Sequence, residues 1–154
     1  MIKKHIPLIA ALLIISTLII LYEKKELPFN ENLNIEKEYK ILLNRSKSEN
    51  KNILIEFGAN WCMDCSVFND ILTREPNLSY LNANYLILKV DVGKFDRNLE
   101  FSKKFEDPIQ SGIPAIVILS SEEKILVSTN NGEFSNSRGL KDITVLDFFK
   151  KWKK

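Results

Sequence analysis

The chain has 154 residues, a formal net charge of +2, and apolar and charged fractions of 45% and 27%. That length fits one domain of about 100–200 residues with appendages, and the balance excludes fibrous and disordered classes. A charge so small, with no basic stripe interleaved with aromatics, excludes nucleic acid as a partner.

The chain opens with Lys3, Lys4 and His5, followed by an almost unbroken apolar run over residues 6–22. As a helix, roughly 17 residues would cover about 25 Å, short for a membrane span but within its range. A cleaved signal peptide has a shorter apolar core and ends in small residues. Here the run closes on Leu21-Tyr22-Glu23, so an uncleaved anchor is the expectation and cleavage the alternative. Basic residues before the span predict that its start stays cytoplasmic, which places the remainder in the oxidising periplasm of a bacterium. The domain plan is an anchor at 1–22, a linker at 23–33 and a folded domain at 34–154.

Within that domain Asn34 is a candidate helix N-cap, with Ile35, Tyr39, Leu42 and Leu43 at helical spacing. Ile53-Leu54-Ile55-Glu56-Phe57 reads as a strand buried on both faces. A helix follows from Cys62 through Leu72, stopped by Pro76. Residues 85–92 alternate as a second strand, and 95–105 carry helical spacing at Phe95, Leu99, Phe101 and Phe105. Residues 115–119 form a third strand and 124–127 a fourth, with a turn at 120–123. A Gly/Asn/Ser-rich loop at 129–139 precedes a last helix expected to bury Ile143, Leu146, Phe149 and Trp152. Early strands alternate with helices and the last two are close enough for a hairpin. The fold class is therefore an α/β sandwich with a mixed central sheet flanked by helices.

The chemistry concentrates in Trp61-Cys62-Met63-Asp64-Cys65, after a buried strand and at the start of a helix. A helix N-terminus offers unpaired N–H groups and the positive end of the dipole, both of which stabilise a thiolate. Two intervening residues let the sulfurs meet across one turn. Cys62 can then attack a disulfide as nucleophile and Cys65 can resolve the mixed disulfide. A structural bridge is the weaker reading, because so short a loop removes little unfolded-chain entropy. A metal centre is weaker too, since there is no second cysteine pair and the single histidine, His5, precedes the apolar run. No metal or cofactor is expected beyond the Cys62–Cys65 redox couple itself.

Residues 53–65 resemble the active-site strand and helix of the thioredoxin family. The likeness is greatest to bacterial envelope thiol–disulfide oxidoreductases, such as the soluble reductase domain of the transmembrane disulfide reductase. Gly112-Ile113-Pro114-Ala115 is similar to the family's second landmark. The resemblance implies that Pro114 is a cis-proline facing the dithiol and that Ile113 offers backbone hydrogen bonds to an extended substrate. It also implies that Trp61 shields the sulfurs and contacts substrate. Glu56 aligns with the family's buried acid and Lys89 with the lysine that partners it. A carboxylate on a strand covered on both faces should hold its proton more tightly, which suits proton exchange with Cys65.

Met63 and Asp64 depart from the family's common pairs and are expected to tune the couple. A negative charge at Asp64 should disfavour the Cys62 thiolate and lower the potential, favouring reductase or isomerase over oxidase. The expected partners are disulfide-containing envelope proteins, a membrane or thioredoxin-type electron donor, and the inner membrane through residues 6–22. No extra dimerisation domain is evident, so the chain is expected to act as a monomer. Two rival functions stand beside this reading. One is a dithiol oxidase; the other is a non-catalytic copper-binding or chaperone module, hinted at only by Met63.

Overall fold

The computed structural model describes residues 27–153; the anchor expected at 6–22 lies outside the described residues. Among the described residues no helix is long and apolar enough to cross a membrane. The first helix, α1 (Ile35–Glu49), starts where Asn34 accepts the Lys37 N–H and ends on Asn50 in the left-handed region. Then follow β1 (Asn52–Gly58), α2 (Met63–Leu72), α3 (Asn77–Asn84), β2 (Tyr85–Asp91) and α4 (Leu99–Lys103). A 3-10 turn (Pro108–Ser111) leads to β3 (Ala115–Leu119) and β4 (Ile125–Ser128). A second 3-10 turn (Ser137–Gly139) precedes α5 (Asp142–Trp152).

The four strands lie in the order β2-β1-β3-β4. β1 pairs in parallel with β2 and antiparallel with β3, and β3 closes an antiparallel hairpin with β4. The sheet is mixed, as the element order implied. Strand alternation divides the core into two layers. Ile53, Ile55, Phe57, Leu86, Leu88 and Val90 face Tyr39 and Leu42 of α1 and Phe101 of α4. On the opposite face Leu54, Ile116 and Ile118 meet Phe68 and Ile71 of α2, Leu81 of α3, and Val145 and Phe149 of α5. Each such large side chain, fully buried, contributes about 1.5–3 kcal/mol. Two polar ties fix the last helix to the sheet: the Tyr85 hydroxyl donates to the Phe149 carbonyl (2.7 Å) and Asn52 Nδ2 to the Trp152 carbonyl (3.0 Å).

Four expectations change. The helix expected over 95–105 shrinks to α4, because Phe95 and Asn98 adopt positive φ (61° and 54°) and Phe95 turns outward. The side chain of Asn98 donates to the Asp91 carbonyl (2.7 Å), which holds the chain in a turn where periodicity suggested helix. Pro76 does interrupt a helix, across a cis Glu75–Pro76 bond, but α3 resumes at once. Its sequence, NLSYLNAN, buries only Asn77 and Leu81, and so carries no helical stripe to read. On α5 the buried stripe is Val145, Leu146 and Phe149, leaving Ile143 exposed and Trp152 only partly covered. Finally, Phe29, in the stretch taken as a linker, is 2% exposed and belongs to the core cluster that also holds Cys62 and Cys65.

Candidate active site

β1 delivers its chain to the dithiol through Ala59, Asn60 and Trp61. Cys62 is the N-cap of α2, in extended conformation, and its sulfur accepts the Cys65 N–H (3.1 Å). The sulfur thus takes the place of a capping oxygen, facing backbone donors and the positive end of the dipole. The two cysteines are joined as a disulfide with Cα atoms 5.2 Å apart. Cys62 retains 7% exposure and Cys65 none, so an incoming partner meets Cys62 first. That order suits Cys62 as the attacking sulfur and Cys65 as the resolving one.

The Ile113–Pro114 bond is cis, and the Ile113 carbonyl lies 3.7 Å from Cys62 Sγ. β3 begins at the next residue, so the loop that presents Pro114 is held by the sheet beside β1. Gly112, ahead of it, has φ +106°, and a Cβ there would fall 3.0 Å from Ser135 Cβ. Glycine is required at that turn. Trp61 is 57% exposed at the rim. Its indole N–H donates to the Gly93 carbonyl (2.6 Å) and its ring meets Phe95 edge-on at 6.2 Å. Met63 is exposed beside it. With Phe95, these side chains give the disulfide an apolar margin.

Glu56 is wholly buried, and neither carboxylate oxygen accepts a hydrogen bond. Lys89, its register partner on β2, brings Nζ to 3.4 Å from Oε2. Lys89 also donates to Asn69 Oδ1 of α2. Burial pushes the Glu56 carboxyl above its ordinary range, and the Lys89 ammonium pulls it only part of the way back. A carboxyl in that condition keeps its proton to higher pH than an exposed one.

Asp64 sits in a different setting from the one the sequence suggested. Its Oδ1 accepts both the backbone N–H (3.2 Å) and the Nε–H (3.1 Å) of Arg138, from the loop before α5. The negative charge beside Cys62 is therefore paired, which weakens the inference of a low potential drawn from Asp64 alone. Among the described residues no group of three or more His, Cys, Asp or Glu side chains could hold a metal ion.

Sequence reasoning did not single out four participants. Arg138 left no signal, because its partner is 74 positions away. Asn69 was within reach, since it lies one turn after Cys65 on α2. Phe95 was assigned to a core helix. Asn60 adjoins Trp61, and its amide grips the backbone of Phe29 on both sides (3.1 and 2.9 Å).

The thioredoxin-like family model matches residues 34–121. A crystal structure described as a disulphide isomerase from Xylella fastidiosa Temecula1 is 39% identical, with a TM-score of 0.80. The match covers 82% of this chain and 97% of that one. The oxidoreductase DsbH (18% identity, TM-score 0.55, covering 74% and 80%) shares the fold. So does a thioredoxin from Thermus thermophilus (15%, 0.56, covering 73% and 82%). No curated protein sequence matches significantly. A helix-capping dithiol beside a cis-proline, carried on this sheet and matched by this family, has one reading: the chain belongs to the thioredoxin-like family, as a thiol–disulfide oxidoreductase.

Proposed function

We propose that the chain reduces or isomerises disulfides in bacterial envelope proteins. The observation that carries this is the Cys62–Cys65 pair at the N-terminus of α2, with the Ile113 carbonyl 3.7 Å from the more accessible sulfur, that of Cys62. The likeness to a protein described as a disulphide isomerase supports the isomerising arm.

In the reducing direction the Cys62 thiolate attacks one substrate sulfur. A Cys62–substrate bond forms, the substrate S–S bond breaks, and the leaving sulfur takes a proton. Glu56 accepts the proton of the Cys65 thiol, and Cys65 attacks Cys62 Sγ. The mixed bond breaks, the enzyme disulfide forms, and two electrons have passed to the substrate. A membrane or thioredoxin-type dithiol donor then returns the couple to its reduced form. Isomerisation stops at the mixed disulfide and returns the substrate with a different pairing. Trp61, Ile113 and Pro114 would hold the substrate strand, and Met63 and Asp64 would tune the couple. No metal or further cofactor enters the exchange. The working unit would be a monomer, held by residues 6–22 at the periplasmic face of the inner membrane; release after signal cleavage is the alternative.

The deciding experiment is the reduction potential of the full chain, equilibrated in thiol/disulfide buffers and trapped. A value below about −230 mV supports a reductase; about −180 mV fits an isomerase and about −120 mV an oxidase. The oxidase reading gains from one observation, the Arg138 cation on Asp64. Disulfide formation in a reduced, unfolded protein, without repair of a scrambled one, would select it. Retention in the membrane after alkaline extraction tests the anchor.

A further inference from the structure

The segment ahead of α1 reaches into the redox site. The Phe29 ring packs onto Gly58 so closely that a Cβ at 58 would fall 2.3 Å from Cζ and 2.9 Å from both Cε atoms. Gly58 follows Glu56 by two residues, and strand alternation places both on the same face of β1. Glu56 is paired in register with Lys89, and Gly58 with Asp91. Phe29 thus occupies the space a side chain at 58 would take, and Lys89 Nζ stands 5.7 Å from its ring centroid. The ammonium has three donor directions. Asn69 accepts from it, Glu56 Oε2 lies 3.4 Å away, and the aromatic ring stands beside it.

The ring is held by more than packing. Asn60 Oδ1 accepts the Phe29 N–H and Asn60 Nδ2 donates to the Phe29 carbonyl, closing the residue on both sides. Asn60 Nδ2 also reaches Glu31 (3.1 Å), and Arg97 joins Glu31 (3.1 Å) to the buried Asp91 (3.2 Å). The segment is therefore tied to both strands that carry Glu56 and Lys89, at a point two residues before Cys62.

We propose that Phe29, clamped by Asn60, is a positioning residue of the redox site: its ring covers the Lys89 side of the Lys89–Glu56 pair and keeps water from the carboxylate. The proposal rests on the exchange reaction above, in which Glu56 takes the Cys65 proton. An aromatic face attracts a desolvated ammonium and excludes water at the same position. Lys89 is already partly exposed; without the ring, water passes it to the fully buried carboxylate.

The test uses the full chain in detergent, with the parent compared to Phe29→Ala, Phe29→Leu and Asn60→Ala. Carbon-13 carboxyl titration follows Glu56, its resonance identified by its loss in Glu56→Gln. Single-turnover resolution of a mixed disulfide is measured against pH on the same variants. In Phe29→Ala the Glu56 midpoint should fall towards the ordinary carboxylate value, with the acid limb of the pH profile moving in the same direction. Phe29→Leu should restore most of the shift, and Phe29→Ala should leave the profile of Glu56→Gln unmoved. A folded Phe29→Ala with the parent midpoint and profile, and only a lower Tm, overturns the proposal. Should Phe29→Ala not fold, Asn60→Ala, which frees the ring without removing it, decides by the same two readings. A parent chain that exchanges no disulfide at any pH overturns the function itself, whereas an active parent with an unmoved Glu56 overturns only the role of Phe29.

Discussion

Two ion pairs meet α2, the helix that the dithiol begins, and they are opposites. Glu56–Lys89 spans neighbouring strands with its carboxylate fully buried, whereas Asp64–Arg138 joins α2 to a loop with its guanidinium largely in solvent. The buried carboxylate has lost its water. The carboxyl holds a proton more tightly than usual, and removing Lys89 leaves a buried carboxylate that nothing else satisfies, whereas Lys89 without Glu56 keeps Asn69. The exposed pair is screened by solvent and contributes little to stability. It lies beside Cys62, however, so its charge acts on the chemistry rather than on the fold. Burial decides whether a charge is a proton carrier or a field.

The contrast can be broken from its centre outward. Cys62→Ala should abolish exchange altogether and leave both ion pairs intact, as measured by insulin reduction alongside thermal melting. Glu56→Gln comes next. Loss of a general base of this kind slows its step by about 10²-fold, read as single-turnover decay of a trapped mixed disulfide. Its stability signature has a definite sign. The folded-state pKa of Glu56 lies above its unfolded value, so its contribution is fullest at acid pH and is lost as pH rises through the folded pKa. Parent Tm should therefore decline across that window, and Glu56→Gln should remove this component of the decline.

Lys89→Ala sharpens the comparison from the other partner. It strands the Glu56 carboxylate and should cost roughly 1–3 kcal/mol in urea unfolding at neutral pH, less at acid pH where Glu56 is protonated. The smallest effect belongs to the exposed pair. Arg138→Ala should change stability by no more than about 1 kcal/mol. It should lower the reduction potential by up to about 30 mV, because an unpaired Asp64 disfavours the Cys62 thiolate. Asp64→Asn should move the potential the opposite way. Equal potentials in both variants would show that the exposed pair has no hold on the couple.

Much of this was legible in the chain. β1 announced itself through a short apolar run rich in isoleucine, and Asn34 through its capping position. The dithiol was readable because its function depends on local spacing at a helix start. Pro114 and Glu56 were readable through the resemblance, and Lys89 then fell opposite Glu56 by strand register. What stayed hidden was non-local. Arg138 reaches Asp64 across 74 positions, and Asn60 reaches Phe29 across 31. No period or propensity encodes such contacts. Phe95 misled for a different reason. Its spacing to Leu99 was helical, but the positive φ at Phe95 and Asn98 belongs to a turn that the Asn98–Asp91 hydrogen bond stabilises.

The grip of Asn60 on Phe29 also fixes a length. With residues 6–22 placed in a bilayer as proposed, only the six residues 23–28 separate the lipid from a backbone already fastened to the active-site loop. Fully extended, six residues reach about 20–22 Å. The chain would thus be leashed by the end that carries its disulfide rather than by its far side. Its sulfurs would sweep a shallow shell just above the lipid headgroups, where a membrane-embedded donor and freshly exported proteins come within the same short radius.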